Sequence, residues 1–121
     1  MAVKALTIST SQVAPHQAWI ASWGPMANGD TGAPFEAPSS GDRSVQVTGT
    51  FGAAGSVSIE GSNDGTNWAT LRDPANGSLA ITAASIRAVM ELTRYIRPNV
   101  TAGDGTTSLT ITLLANSMKR G

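Results

Sequence analysis

Short runs of alternating apolar and polar residues fill the middle of the sequence, from residue 45 to residue 71. Val45, Val47 and Phe51 alternate with polar residues in the first run, and Val57 and Ile59 do so in the second. Alternation with a period of two places such residues on one face of a β-strand and their polar neighbours on the other. This part of the chain is therefore predicted to form strands with one face buried.

Two clusters of turn-forming residues follow these runs. Gly52–Gly55 reads G-A-A-G, and its glycines can adopt the positive φ values of a tight hairpin loop. Residues 62–67 read S-N-D-G-T-N, whose side chains bond their own backbone in turns, and Trp68 follows directly. The sequence predicts two successive hairpins, with Trp68 as a buried post that anchors the second turn.

The rest of the chain repeats this pattern, with one predicted exception. Further strands are predicted within residues 1–10, 19–23, 79–82, 93–100 and 107–114, and a hairpin turn at 102–106. The segment 82–90 has a helix N-cap candidate in Thr82, and Ile86, Val89 and Met90 share one helical face. The predicted fold is all-β: an antiparallel, jelly-roll-like β-sandwich with an extended N-terminal arm and at most one short helix.

The predicted division of the chain into segments depends on the glycine- and proline-rich stretch at residues 24–43. This stretch has no regular hydrophobic period and is too long for an ordinary connection in a compact domain, so we expect either a disordered loop or an arm that becomes ordered on a partner surface. The predicted divisions are an N-terminal strand, arm and loop at 1–44, a sandwich body at 45–115 and a short tail at 116–121. Phe35, exposed on such a loop, would be an anchor for a partner.

Charge and cysteine content exclude several classes of function. The 121-residue chain, one domain in length, has no cysteine, and its 8 basic and 8 acidic residues give no net charge. Without a basic excess we expect no nucleic-acid partner, and without a long apolar segment or a signal peptide no membrane partner. Such a sparse charge set favours packing against copies of the chain or a larger surface.

A search for catalytic residues finds no constellation. The only histidine, His16, has no carboxylate or serine partner near it in the sequence. Four carboxylates could in principle form a glycosidase pair, but most belong to turn or strand patterns; they are Glu60, Asp64, Asp73 and Glu91. We therefore expect no enzyme activity, no cofactor and no metal.

Five residues are candidates for partner binding. Trp19 and Trp23 would lie on one face of a strand, where they would serve the core or a subunit contact, or else a platform for sugars. Phe35 is the candidate anchor of the loop. Arg97 would pack along the sheet and pair with a carboxylate, or else Arg94 and Arg97 would bind an acidic or carbonyl-rich partner.

Two resemblances pass through these strands and turns. Residues 47–71 and 94–114 resemble small structural proteins encoded in the head region of tailed bacteriophages. That resemblance implies a virion protein made in the host bacterial cytoplasm, of the decoration (cement) type. Such proteins are jelly rolls on the capsid exterior that bind the major capsid protein, and we expect association between copies. A tail or neck component is the alternative location.

The second resemblance is to discoidin-like (galactose-binding-like) sandwiches, carried by S-N-D-G-T-N-W at 62–68 and R-Y-I-R at 94–97. It implies a carbohydrate-binding module for host attachment. The chain lacks the cysteines and the secretory context of that family.

Overall fold

The computed structural model describes residues 2–10, 18–36 and 38–116, and these form twelve β-strands and no helix. His16 and residues 117–121 of the predicted tail lie outside the described residues. The strands are β1 (Val3–Lys4), β2 (Leu6–Thr10), β3 (Ala18–Met26), β4 (Thr31–Gly32), β5 (Phe35–Glu36), β6 (Asp42–Thr50), β7 (Ser56–Ser62), β8 (Ala69–Thr70), β9 (Ala80–Ile81), β10 (Ser85–Val89), β11 (Tyr95–Ala102) and β12 (Ser108–Asn116).

The strands form two sheets that pack together as a β-sandwich, which confirms the all-β prediction. The five-stranded sheet has the order β10-β6-β12-β3-β2 and is antiparallel throughout. The seven-stranded sheet has the order β1-β4-β11-β7-β8, with β5 also paired to β11 and β9 to β7. Its β1–β4 pair is parallel and its other strand pairs are antiparallel.

The core lies between the two sheets and consists of the residues that the alternation places inward. Val45, Val47, Val57 and Ile59 are all buried, as predicted. The same alternation buries further aliphatic residues on β11 and β12, and in and next to β9. They are Ile96, Val100, Leu109, Ile111, Leu113, Leu79 and Ile81.

The first predicted hairpin is wrong, because β6 and β7 belong to different sheets. Gly52–Gly55 carries the chain across the end of the sandwich, and the predicted hairpin turn between β11 and β12 is a second such crossing. Asp104 Oδ2 accepts the Ala53 N–H at 2.8 Å, and Thr107 Oγ1 donates to the Phe51 carbonyl at 2.8 Å. The two crossings therefore stabilise each other. The second predicted hairpin is confirmed, since β7 pairs with β8 across residues 62–67.

Asp104 makes stability depend on pH at this end of the sandwich. Hydrogen bonds from the backbone of Ala53, and then from the side chain and backbone of Thr106, lower the Asp104 pKa from 3.8 to about 2. Because the folded pKa lies below the unfolded one, the carboxylate stabilises the fold above pH 3.8, and this contribution is lost as the pH falls towards 2.

We therefore expect Asp104→Asn to lower the free energy of unfolding by a constant amount above about pH 5, with the difference from wild type shrinking below about pH 4. Urea unfolding of both proteins at several pH values measures this difference in unfolding free energy. The other carboxylates are present in both proteins, so their contributions cancel in the difference. A difference that does not shrink in acid would contradict the assignment.

The predicted helix at 82–90 is also wrong. Residues 85–89 form β10, which pairs with residues 43–47 of β6. Val89 is buried while Ile86 is 67% exposed, so apolar residues three apart lie on opposite faces of a strand. Pairing with β6 provides hydrogen-bond partners for the backbone of residues 85–89. This tertiary context overrides the local helical pattern.

Residues before 45 contribute five strands to the two sheets. β3 lies between β2 and β12 in the five-stranded sheet, and β4 and β5 pair with β11 in the other. Phe35 is only 5% exposed, so the prediction that it is exposed is wrong: pairing of Ile96 with Phe35 directs the ring into the core. Trp23, at 1% exposed, is also a core residue.

Candidate binding surface on the seven-stranded sheet

The outer face of the seven-stranded sheet carries a network of charged and aromatic side chains. Arg97 on β11 lies opposite Glu60 on β7, and their Nε and Oε1 atoms are 3.0 Å apart. Asn99 donates from Nδ2 to the other oxygen of Glu60 at 3.1 Å. Because both carboxylate oxygens have partners, Glu60 holds two side chains of β11 in fixed positions.

Two aromatic rings and two guanidinium groups stack beside this network. The guanidinium carbon of Arg97 lies 4.0 Å from the centre of the Trp68 ring, and that of Arg94 lies 5.0 Å from the centre of the Tyr95 ring. The two rings are tilted by 51° with centres 6.5 Å apart. Trp68, Arg94, Tyr95 and Arg97 are hereafter called the aromatic–arginine cluster. Its contacts are cation–π and edge-type aromatic interactions.

Glu36 fixes the far end of the cluster. Its Oε2 accepts a hydrogen bond from Arg94 Nε at 2.7 Å, and this bond raises the pKa of Arg94. Arg94 also donates its backbone N–H to the side-chain oxygen of Asn63 at 2.9 Å, which joins the cluster to the turn before Trp68. Both arginines are thus held in a fixed orientation, each by an ion pair, Arg94 with Glu36 and Arg97 with Glu60.

The turn that presents Trp68 is held by one carboxylate. Asp64 Oδ1 accepts the backbone N–H groups of Thr66 and Asn67, each at 2.8 Å, and the Ser62 hydroxyl at 2.9 Å. These bonds, that from the Asn67 backbone first, lower the Asp64 pKa well below its usual range. Trp68 is therefore presented by a turn that is already ordered.

The prediction that Trp68 is buried in the core, drawn from its position after the turn, is wrong. The Trp68 side chain is half-buried and lies against Arg97 and Tyr95, both of which face outward from the sheet. The chain turns before β8 at the edge of the sheet, so the indole covers the outer face instead of entering the core. Trp68 therefore belongs to the surface.

The sequence-predicted binding residues separate into two groups. Arg94 and Arg97 come together in the cluster; Arg97 is paired with a carboxylate, as one of the two interpretations predicted, and Arg94 is paired with another. Trp19, Trp23 and Phe35 lie elsewhere: Trp23 is in the core, and Trp19, 40% exposed, lines with Phe35 a cleft of about 320 Å³ between the sheets.

Other members of the surface were not predicted from the sequence as binding residues, among them Glu36, Glu60, Trp68, Tyr95 and Asn99. The sequence pattern does place Tyr95 and Arg97, two positions apart on a predicted strand, on the same face. The pairing of Glu60 with Arg97 joins residues 37 positions apart, which no local pattern reveals.

No protein-family model, curated protein or solved structure matches this chain. The chemistry of the surface must therefore be judged from its own geometry. Within the described residues, no three histidine, cysteine or acidic side chains come together as a metal site, and no helix has the length and apolar character needed to cross a membrane.

The remaining carboxylates considered for catalysis have structural partners. Asp73 bonds the Arg87 guanidinium and the Gly77 backbone, and Glu91 bonds the Arg72 backbone and side chain. These bonds lower the pKa of both carboxyls. A general acid at neutral pH needs a raised pKa, so both groups are suited to holding loops.

Proposed function

We propose that this protein is a capsid decoration protein of a tailed bacteriophage, of jelly-roll type, which binds the capsid exterior and bridges neighbouring copies of the major capsid protein. The aromatic–arginine cluster is the observation that carries this proposal. Tryptophan, tyrosine and arginine are the residues that most often dominate the binding energy of protein interfaces. Here one tryptophan, one tyrosine and two arginines occupy a single face.

The resemblance to phage head proteins supports the choice of this surface as the binding surface. Trp68 lies near the end of the first similar segment, and Arg94, Tyr95 and Arg97 are at the start of the second. The antiparallel pairing of β7 with β11 brings the two segments together on this face. The residues that suggest the family therefore also form the surface best suited to a protein partner.

The mechanism follows from preorganisation and repetition. Ion pairs and the Asp64 turn fix the cluster before binding, so little side-chain entropy is lost on contact. On a symmetric shell each weak contact is repeated many times, and bridging two subunits converts modest affinities into avidity. Burial across the joints between capsomers then resists the pressure of the packaged DNA, without a substrate or cofactor.

Trp68→Ala tests the proposal. We expect it to weaken binding to capsids of the encoding phage at least about 30-fold, as loss of an interface hot spot does. The loss of unfolding free energy should stay near 1–2 kcal/mol, below the range of about 3–5 kcal/mol for a fully buried tryptophan. Co-sedimentation with purified capsids measures binding, and urea unfolding measures stability.

Trp19→Ala is the matched control, because Trp19 is also partly exposed but lies outside the cluster. It should sediment with capsids as wild type does. Wild-type affinity in Trp68→Ala, or equal losses in the two variants, would contradict the proposed surface. Binding to isolated tails instead of capsids would move the protein to the tail or neck.

A carbohydrate-binding module is the second candidate, favoured by the half-buried indole of Trp68, which contacts Arg97, and by the polar network of Arg97 with Glu60 on the same face. Sugars stack on such rings and bond adjacent polar groups. A glycan array probed with wild type and Trp68→Ala tests it. A glycan bound only by wild type, together with no capsid binding, would replace the decoration proposal.

A further inference from the structure

The outer face of the five-stranded sheet differs chemically from the surface just described. Its outward side chains, across the five strands as the structure describes them, are hydroxyls, amides and aliphatic groups, with Asp42 at one end the only ionisable residue. They include Thr7, Ser9, Ala18, Ile20, Ser22, Ser44, Gln46, Thr48, Thr50, Ile86, Ala88, Ser108, Thr110, Thr112, Leu114 and Asn116.

The two arginines of these strands do not interrupt this face. Arg43 is 1% exposed and donates from Nε to the Ser40 carbonyl at 2.8 Å, on the inner side of the sheet. Arg87 lies opposite inward-facing Val45 and bonds Asp73. The charge that these strands hold is thus directed away from the outer face.

Strand register makes the uncharged face continuous. One row of paired positions crosses all five strands, and a second row lies beside it. The first is Ile86, Gln46, Thr112, Ser22 and Thr7, and the second is Ala88, Ser44, Leu114, Ile20 and Ser9. Leu114, on the central strand, is 43% exposed and Ile86, at the edge, 67% exposed.

We propose that this face is a self-association surface, on which a second copy of the chain docks with the same face. In a two-fold symmetric contact each surface meets itself, so a charged patch would face its own sign. Hydroxyl groups both donate and accept hydrogen bonds, and therefore remain complementary to an identical set. An uncharged face of hydroxyls with interspersed aliphatic groups meets both requirements.

The size of the face is sufficient for a pair. Five strands about 4.8 Å apart span about 24 Å; the two edge strands have five residues each and the three inner strands nine, lengths of about 17 and about 31 Å. Two such faces would bury roughly 1,000 Å² in total, the lower limit for a specific interface. The aromatic–arginine cluster is on the opposite sheet and stays free in the pair.

Charge reversal at the centre of the face tests this inference on the protein alone, without capsids. Thr112 is on the central strand β12, in the middle of the first row. In wild type we expect a concentration-dependent dimer by sedimentation velocity at up to about 1 mM. Thr112→Lys and Thr112→Glu should each raise the dissociation constant at least about 100-fold, because each places like charges against each other.

An equimolar mixture of the Lys and Glu variants should restore the dimer, because opposite charges then meet. Thr70→Lys is the control: Thr70 is an exposed strand threonine of the other sheet and should leave the dimer unchanged. Circular dichroism and thermal unfolding establish that each variant is folded. A monomeric wild type, unchanged dimers in both charged variants, or a mixture that stays monomeric would overturn the inference.

The outcome is separable from the capsid proposal. Thr112→Lys changes self-association measured on the free protein, whereas Trp68→Ala changes capsid sedimentation. A protein that dimerises through this face but ignores capsids would keep the inference and reject the decoration role.

Discussion

Replacing Trp23 with alanine is expected to lower the free energy of unfolding by about 3–5 kcal/mol, the range for fully buried aromatic residues. Trp23 is 1% exposed and packs between the sheets. Its indole Nε1–H donates to the Ala33 carbonyl at 2.8 Å, so the substitution leaves both a cavity and a carbonyl without its partner. Urea unfolding of wild type and variant measures the loss.

Trp19→Ala provides an internal control on the same strand and the same side of the sheet. Trp19 is 40% exposed, so we expect a loss below about 1.5 kcal/mol, in keeping with partial burial. Similar losses at the two positions would contradict the assignment of Trp23 to the core and Trp19 to the rim of the cleft.

Gly49→Ala is expected to destabilise the fold by about 3 kcal/mol or more, because two penalties combine at one residue. Gly49 has a φ of 115°, which side-chain-bearing residues rarely adopt. A Cβ there would lie 2.3 Å from the Ser108 carbonyl oxygen, a backbone atom of the paired strand β12. Relief of this clash requires β6 and β12 to separate within the five-stranded sheet.

Alanine substitutions at two other glycines distinguish the cost of the backbone conformation from the cost of the steric clash. Gly29 has a φ of 88°, but the space that an added methyl group would occupy is open, so Gly29→Ala should show only the backbone cost, about 1 kcal/mol. Gly105 has neither constraint, and its alanine variant should be close to wild type. A Gly49→Ala protein no less stable than Gly29→Ala would contradict the close approach of the two strands.

Alternation along the chain identified the core residues of the central strands but not the partners of those strands. Val45, Val47, Val57 and Ile59 are buried as their period predicts. The period says which face of a strand is inward, but two strands joined by a short loop can pair in one sheet or cross to the other. At Gly52–Gly55 the chain crosses, and the bonds that stabilise the crossing come from residues 104 and 107, about fifty positions away.

Long-range pairing also explains the other errors of the sequence reasoning. Residues 85–89 have a helical spacing, yet the edge of β6 provides them with strand partners. Phe35 lies in a stretch without a pattern, and pairing with β11 buries it. Trp68 follows a correctly predicted turn, but the direction of its side chain depends on Arg97 and Tyr95 of a distant strand.

The candidate site was accordingly predicted in part. Arg94 and Arg97 could be identified from the sequence, since they flank Tyr95 and Ile96 in the strand predicted at 93–100. Their carboxylate partners are Glu36 and Glu60, which come from two other strands of the same sheet. Pairing of β5 and β7 with β11 brings these charged side chains together into an ordered surface. This pairing is a property of the tertiary structure and has no signal in the local sequence.

A cryo-EM reconstruction of the virion of the encoding phage tests the central proposal most directly. We expect density for the sandwich on the outside of the capsid shell, with the outer face of the seven-stranded sheet, and Trp68 in particular, against the major capsid protein. A virion that carries no copy of this protein on its capsid exterior, or carries it only on the tail, would contradict the decoration role.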